Sequence, residues 1–275
     1  MFLINDDNYQ QFMPEQQGFM RGFVPRDLAR SPLGSGVGAV RFDEDENMPL
    51  IPRQEWPERC AEMVAKQTRL SDIDNFPALD QGRQGFCWAY SSVGCTMSLR
   101  QVMGLPRARL SPHAVACKIY GFQDRGAWGA VSLEWIGENG CPDEQHWPQQ
   151  SMSRSHDRPE TWENAKLHRI TEGYLDLDVS HPADAEMSFD QYATCWLNRI
   201  PTVCDHMWWG HSVYGMDLVD HKPNLGQQGL MDPNRWGYRG KNSWGTVWGD
   251  RGLFVFQGRK GIPDGGCAPR VVLAA

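Results

Sequence analysis

The chain has 275 residues and a net charge of −7, with 40% apolar and 22% charged side chains. That length holds one large domain or two small ones, and the composition is that of a water-soluble globular protein. A negative balance without a basic cluster argues against a nucleic-acid partner, and no run approaches the roughly 20 consecutive apolar residues of a membrane span.

Residues 1–50 read as an extended arm rather than a domain. They are rich in Gln, Asn, Gly and Pro, and 31–38 has the composition of a flexible strip. The acidic run Asp43-Glu44-Asp45-Glu46 reads as a solvated face. Met1-Phe2-Leu3-Ile4 is apolar, but Asp6 and Asp7 end the run and no basic residue precedes it. It is therefore not read as a secretory leader, and the protein is expected in the cytoplasm or inside an assembled particle such as a virion. An ordered arm must pack on something, as a pro-segment or as a docking arm for neighbours in an assembly.

Residues 51–262 turn globular, with 263–275 set apart as a C-terminal tail. Apolar residues at helical spacing (Trp88, Val93, Met97, Val102) predict a helix over 86–103, stopped by Gly104. Ser111-Pro112 opens another, with the hydroxyl as N-cap and proline at the first helical position. A short helix over 131–136 ends at Gly140, and Ser188 to Gln191 has capping-box spacing before 192–197. Strands are expected at 170–177, 201–204, 212–219, 238–242 and 253–257. Helices first and strands afterwards predict an α+β chain of two halves with a cleft between them.

Chemistry concentrates in three motifs. In Gln81-Gly82-Arg83-Gln84-Gly85-Phe86-Cys87-Trp88-Ala89-Tyr90 a cysteine follows a glycine-containing loop and opens a helix. Free N–H groups and the dipole at a helix start favour an anion, which suits a thiolate nucleophile. The same placement also suits a buried structural thiol. His211, in Trp209-Gly210-His211-Ser212-Val213, starts a buried strand, where a lone histidine is more often a core residue than a base. Lys241-Asn242-Ser243-Trp244-Gly245-Thr246-Val247-Trp248-Gly249 tips the balance. An Asn carbonyl accepting from the imidazole would fix the ring as the third group of a triad does, with tryptophan rings shielding it.

The order Gln, Cys, His, Asn within these motifs resembles the papain-like cysteine peptidases, bacterial and viral members more than plant or lysosomal ones. The resemblance covers residues 51–262 and includes Leu110-Ser111-Pro112 and Gly140-Cys141-Pro142. It implies a two-lobed fold, with a helical left lobe whose central helix starts at the nucleophile, a β-barrel-like right lobe, and the cleft between. It also implies roles. Cys87 is the nucleophile and His211 its base, Asn242 orients His211, and Gln81 donates to the oxyanion. Trp244 shields the His211–Asn242 bond, and Trp88 supports the nucleophile's helix. Cys204, Trp209 and Ser212, with Gly210 beside them, line the pocket that reads the second residue before the cut. Trp128 and Gly129 stand where many members pair backbone with substrate. The product is an acyl-enzyme thioester that water hydrolyses, with a protein or peptide as substrate and no cofactor.

Departures from the pattern matter too. Gln84 replaces a cysteine that many members bridge, the bulky Trp128 stands where glycine is usual, and no helical pro-segment is recognisable in 1–50. Cys204, Asp205, His206, His211 and His221 fit none of the usual zinc spacings, and using His211 as a ligand would remove the base. Eight cysteines could pair completely, but without a secretion signal most read as reduced, buried thiols. Two functions compete: a thiol endopeptidase, and a papain-fold subunit of a larger assembly whose arm docks on neighbours and whose cleft is unused. A cell-wall peptide amidase of related fold is a weaker third, since such enzymes usually lack the Asn-Ser-Trp-Gly motif.

Overall fold

The computed structural model describes residues 1–16, 18–177 and 185–271. Its elements in chain order are β1 (Leu3–Ile4), β2 (Ala39–Arg41), α1 (Trp56–Lys66), α2 (Leu70–Ile73), α3 (Cys87–Val102), α4 (Pro112–Ile119), α5 (Gly129–Asn139) and α6 (Pro159–Lys166), then β3 (Tyr174–Asp176), α7 (Ala185–Leu197), β4 (Thr202–His206), β5 (His211–Asp220), β6 (Trp236–Lys241), β7 (Leu253–Gln257) and β8 (Gly265–Pro269). One eight-stranded sheet runs in the order β1-β7-β6-β5-β4-β8-β3-β2. The inner pairs are antiparallel, and the two outermost, β1 on β7 and β2 on β3, are parallel.

The helix starting at Cys87 is buried from Cys87 to Arg100, on every face. A helix without a polar face belongs in an interior, and α3 lies between the other left-lobe helices and the sheet. One apolar core forms there, joining Trp88, Val93, Leu133 and Ile136 to Val203, Tyr214, Met216 and Cys267 on the strands. A second core fills the opposite face, where Trp196 of α7 stacks on Tyr238 of β6 at 4.8 Å. Ser111 caps α4 through Ala114 N–H at 3.4 Å, with Pro112 following, as its sequence predicts.

Several elements were not visible in the sequence. The segment 263–275, expected as a tail, supplies β8 in the middle of the sheet, between β4 and β3. The arm supplies both edge strands. Helix α1 fully buries only Trp56, edge-on to Trp236 at 5.1 Å, and packs Cys60 and Met63 half-buried against the second core. Helix α7 begins at Ala185, so Ser188 is a buried residue within it rather than its cap. The strand expected over 170–177 is confined to β3. All eight cysteines are free; Cys60 is half-buried and the others are buried.

Candidate active site

Cys87 is the first residue of α3, and His211 the first of β5. Asn242 follows β6 directly, held by its N–H to the Gly252 carbonyl at 2.8 Å. The fold brings these distant segments together. His211 Nε2 donates to Asn242 Oδ1 at 2.7 Å, and that oxygen also accepts the Ser243 N–H at 2.7 Å. This fixes the ring, and leaves Nδ1 as the nitrogen without a proton in the neutral imidazole. Nδ1 is buried with no hydrogen-bond partner among the described residues. Trp244 stacks on the imidazole, centroids 4.4 Å apart and planes 28° apart, and Trp209 meets it edge-on at 5.0 Å. The Ser212 N–H, next along the chain from His211, donates to Cys87 Sγ at 3.5 Å.

Both groups are neutral in this arrangement. Cys87 and His211 have no exposed surface. Burial pushes the thiol up to about 12, with the Asp205 charge adding to it and N–H donors from Ser212 and Gly22 opposing it. Burial also holds the imidazole down to about 3, against the Asn242 hydrogen bond and with a small further push from Arg21. A thiolate–imidazolium pair needs water or mutual contact to offset this desolvation.

The cover comes from the chain's own arm. Residues 19–24 cross the site as an extended strap. The Gly22 carbonyl accepts the Ala127 N–H at 3.0 Å, the Val24 N–H donates to the Ala127 carbonyl at 2.9 Å, and the Phe23 N–H donates to the Gly210 carbonyl at 3.3 Å. Phe23 and Ala127 pair in parallel. Gly22 presses so closely on Gly85, just before the thiol, that a Cβ at Gly22 would fall on the Gly85 carbonyl. Met20 offers its carbonyl to Gln81 Nε2 at 3.1 Å and to Trp244 Nε1 at 2.9 Å. Phe19 stacks on Trp244 at 4.8 Å.

The remaining expected site residues separate into two groups. Gln81 is buried between the strap and the triad segment: its Nε2 also donates to the Gln84 carbonyl at 2.8 Å, and its Oε1 accepts from Ser243. Trp88 donates from its ring N–H to the carbonyls of Gly85 and Arg125, each at 3.2 Å, and so ties down the loops on both sides of the strap. Gly210 and Ser212 touch the strap and the thiol as described. Cys204, by contrast, faces away from the site. Its sulfur lies 3.2 Å from Thr202 Oγ1, in the core shared with Trp196. Strand alternation puts its neighbour Asp205 on the site's side instead, where it accepts from the Ser212 hydroxyl. Gly129 is also displaced from its expected role. It is buried at the start of α5 against Val203, and half-buried Trp128 precedes that helix without a side-chain capping bond; the backbone pairing falls one residue earlier, at Ala127. Trp209 is fully buried beneath His211 rather than lining an open pocket. Sequence reasoning therefore missed Ala127, Asp205 and the strap. Strand parity around His211 was the signal that could have found Asp205.

A helix opening at a cysteine, packed on a sheet that carries histidine and asparagine, defines the papain-like fold, and the comparisons agree. The chain is 25% identical over 242 residues to cathepsin B-like CP3 of Giardia intestinalis, a match spanning 84% of this chain and 74% of that protein. Digestive procathepsin L2 proteinase from the Tenebrio molitor larval midgut matches 97% of this chain and 82% of its own, with a TM-score of 0.59 and 18% identity. Xylellain, a cysteine protease from Xylella fastidiosa, matches 75% of this chain and 85% of its own, with a TM-score of 0.54 and 17% identity. No protein-family model matches the chain. The fold is papain-like. Among the described residues no helix is long and apolar enough to cross a membrane, and no cluster of three or more His, Cys, Asp or Glu side chains is placed to hold a metal.

Proposed function

We propose that the chain is a cysteine endopeptidase held latent by residues 19–26 of its own arm. The observation that carries this reading is the strap itself: a peptide-shaped groove beside Cys87 holds a peptide, paired through backbone to Ala127 and Gly210. With the strap displaced, solvent reaches Cys87 and His211. His211 Nδ1 takes the Cys87 proton, while Asn242 keeps Nε2 engaged. The thiolate attacks a peptide carbonyl, and the oxygen's growing charge is met by the Gln81 amide and the Cys87 N–H. His211 then protonates the departing amine. Water, deprotonated by the same imidazole, hydrolyses the thioester and restores the thiol. Gln81 already donates to a carbonyl in the strapped state, that of Met20, which supports its assignment to an oxygen of a bound peptide. The alternative, a papain-fold subunit docking on neighbours through residues 1–50, has less support, because the arm's contacts are to its own sheet and cleft.

Gly22→Val tests the proposal. The added side chain cannot fit against Gly85, so the strap should leave the groove. The full-length variant should label at Cys87 with an epoxide-type inhibitor and turn over a fluorogenic peptide. Cys87→Ser and His211→Ala in that background should not turn it over. A variant that labels at Cys87 yet cleaves no peptide in a mixed library would overturn the assignment.

A further inference from the structure

Past the thiol, the strap ends in a buried ion pair. Arg26 is two residues beyond Val24, whose N–H bonds Ala127. Its Nη1 donates to both carboxylate oxygens of Asp176 on β3, at 3.0 and 2.8 Å. Nε donates to the Ser31 carbonyl at 2.8 Å, and Nη2 to the Pro32 carbonyl at 2.6 Å. All three guanidinium nitrogens are thus engaged, with 5% of the Arg26 side chain and none of the Asp176 side chain exposed. Two of the acceptors have anchors besides Arg26: the Pro32 carbonyl also accepts from Ser35, and the Asp176 carboxylate has further donors, whereas the Ser31 N–H is tied to the Asp27 carbonyl at 2.8 Å. Asp176 also receives the Gly34 N–H at 2.9 Å, and residues 39–41 hold the following chain to β3 as strand β2.

We propose that Asp176 and the carbonyls of Ser31 and Pro32 form a guanidinium subsite at the far end of the cleft. Arg26 fills it in cis, and an arginine side chain of a peptide substrate fills it once residues 19–26 have moved away. The second half rests on the latent-peptidase reading above. An empty subsite would deprive a buried carboxylate of the guanidinium that now donates two hydrogen bonds to it, which is costly. It therefore selects for positive charge. The forked set of acceptors further selects arginine over lysine, whose single nitrogen cannot reach acceptors on three sides in one plane. The same pair latches the strap, since withdrawing Arg26 exposes that cost.

The test uses full-length protein and reads the rate at which iodoacetamide modifies Cys87. Arg26→Ala should speed labelling about a hundredfold, the scale set by breaking one partner of a buried pair. Millimolar propylguanidinium should restore slow labelling and raise the melting temperature, whereas propylammonium should do neither. Asp176→Asn should label fast and show no rescue. Labelling of Arg26→Ala at the parent rate, or equal action of the two cations, overturns the subsite. If Arg26→Ala does not fold, the neutral Arg26→Gln is read the same way. In the Gly22→Val background, peptides carrying arginine at the matching position should be cleaved at least about tenfold better than citrulline analogues, a preference lost in Asp176→Asn; equal cleavage sinks the substrate half. Guanidinium rescue without any peptide turnover would sink the peptidase reading and leave the subsite standing. Turnover without rescue does the reverse.

Discussion

The ends of the N-terminal segment and its middle are held by different means. At the ends, β1 and β2 are strands of the sheet, and their neighbourhoods are anchored in the body of the protein. Ile4 is fully buried, and the Asp6 carboxylate accepts N–H groups from Arg259 at 3.0 Å and Lys260 at 2.7 Å. In the middle, residues 19–24 rest on backbone hydrogen bonds to Ala127 and Gly210, the Gly22 N–H on Cys87, the Met20 carbonyl, and the contacts of Phe19 and Arg21 with Trp244. Met20 and Phe19 keep more than a third of their surface exposed. Segments with few buried apolar contacts open locally at low cost, whereas elements in the core open only with the whole fold. The segment is therefore built to move in its middle and stay fixed at its ends.

Three measurements break or sharpen that contrast. Among single substitutions the largest effect belongs to an end. Ile4→Ala removes a fully buried side chain and should lower global stability by about 2–5 kcal/mol in chemical denaturation, with little change in Cys87 labelling below the transition. Fast labelling of this variant under native conditions would show that ends and middle open together.

Acid should act next. His113, His206 and His211 are buried, and burial holds them down to about 4, 3 and 3. Above the ordinary histidine value near 6.5 they are neutral in both folded and unfolded chains and contribute no pH dependence. As pH falls below it, the unfolded chain takes up protons that the folded one refuses. Each imidazole should then cost about 1.4 kcal/mol per pH unit until its folded value is reached. Stability followed from pH 7 to 4 should fall steadily. Of the three, only His211 lies under the strap, so it alone can relieve its share by local opening. Cys87 labelling, corrected for thiolate fraction, should therefore rise with acid in the parent chain. In His211→Gln it should not.

The smallest effect is between the first edge strand and the strap. Tyr9 meets Trp208 edge-on at 5.5 Å and carries Lys260 over its ring at 4.3 Å. Tyr9→Ala should cost about 1 kcal/mol and leave labelling within a factor of a few.

The sequence made the site more legible than its cover. Cys87, His211 and Asn242 sit in motifs where each residue type is required by its chemistry, and local pattern placed each at the start or end of an element. Cys204 was misplaced by parity: along a strand a shift of one residue changes the face, and Asp205 took the inward position. The edge strands could not be read, because a two-residue β1 and a three-residue β2 have no periodicity, and their partners are far away in sequence. β8 was hidden by its composition, Gly265-Gly266-Cys267-Ala268-Pro269, which reads as a loop until strands are present on both sides. Helix α1 fully buries one tryptophan and only half-buries Cys60 and Met63 against the second core, with charged residues and an exposed Val64 between them, so its pattern gave little signal.

Because the arm is woven into both margins of the sheet, its middle never diffuses away. An opened strap remains a tethered competitor at an effective concentration on the order of millimolar, so dilution cannot remove it. A peptide present at micromolar levels must then bind about a thousandfold more tightly than the strap re-docks, or arrive after the tether has been severed. Throughput would thus be governed by how firmly a visitor displaces the resident, and only secondarily by the chemistry beneath it.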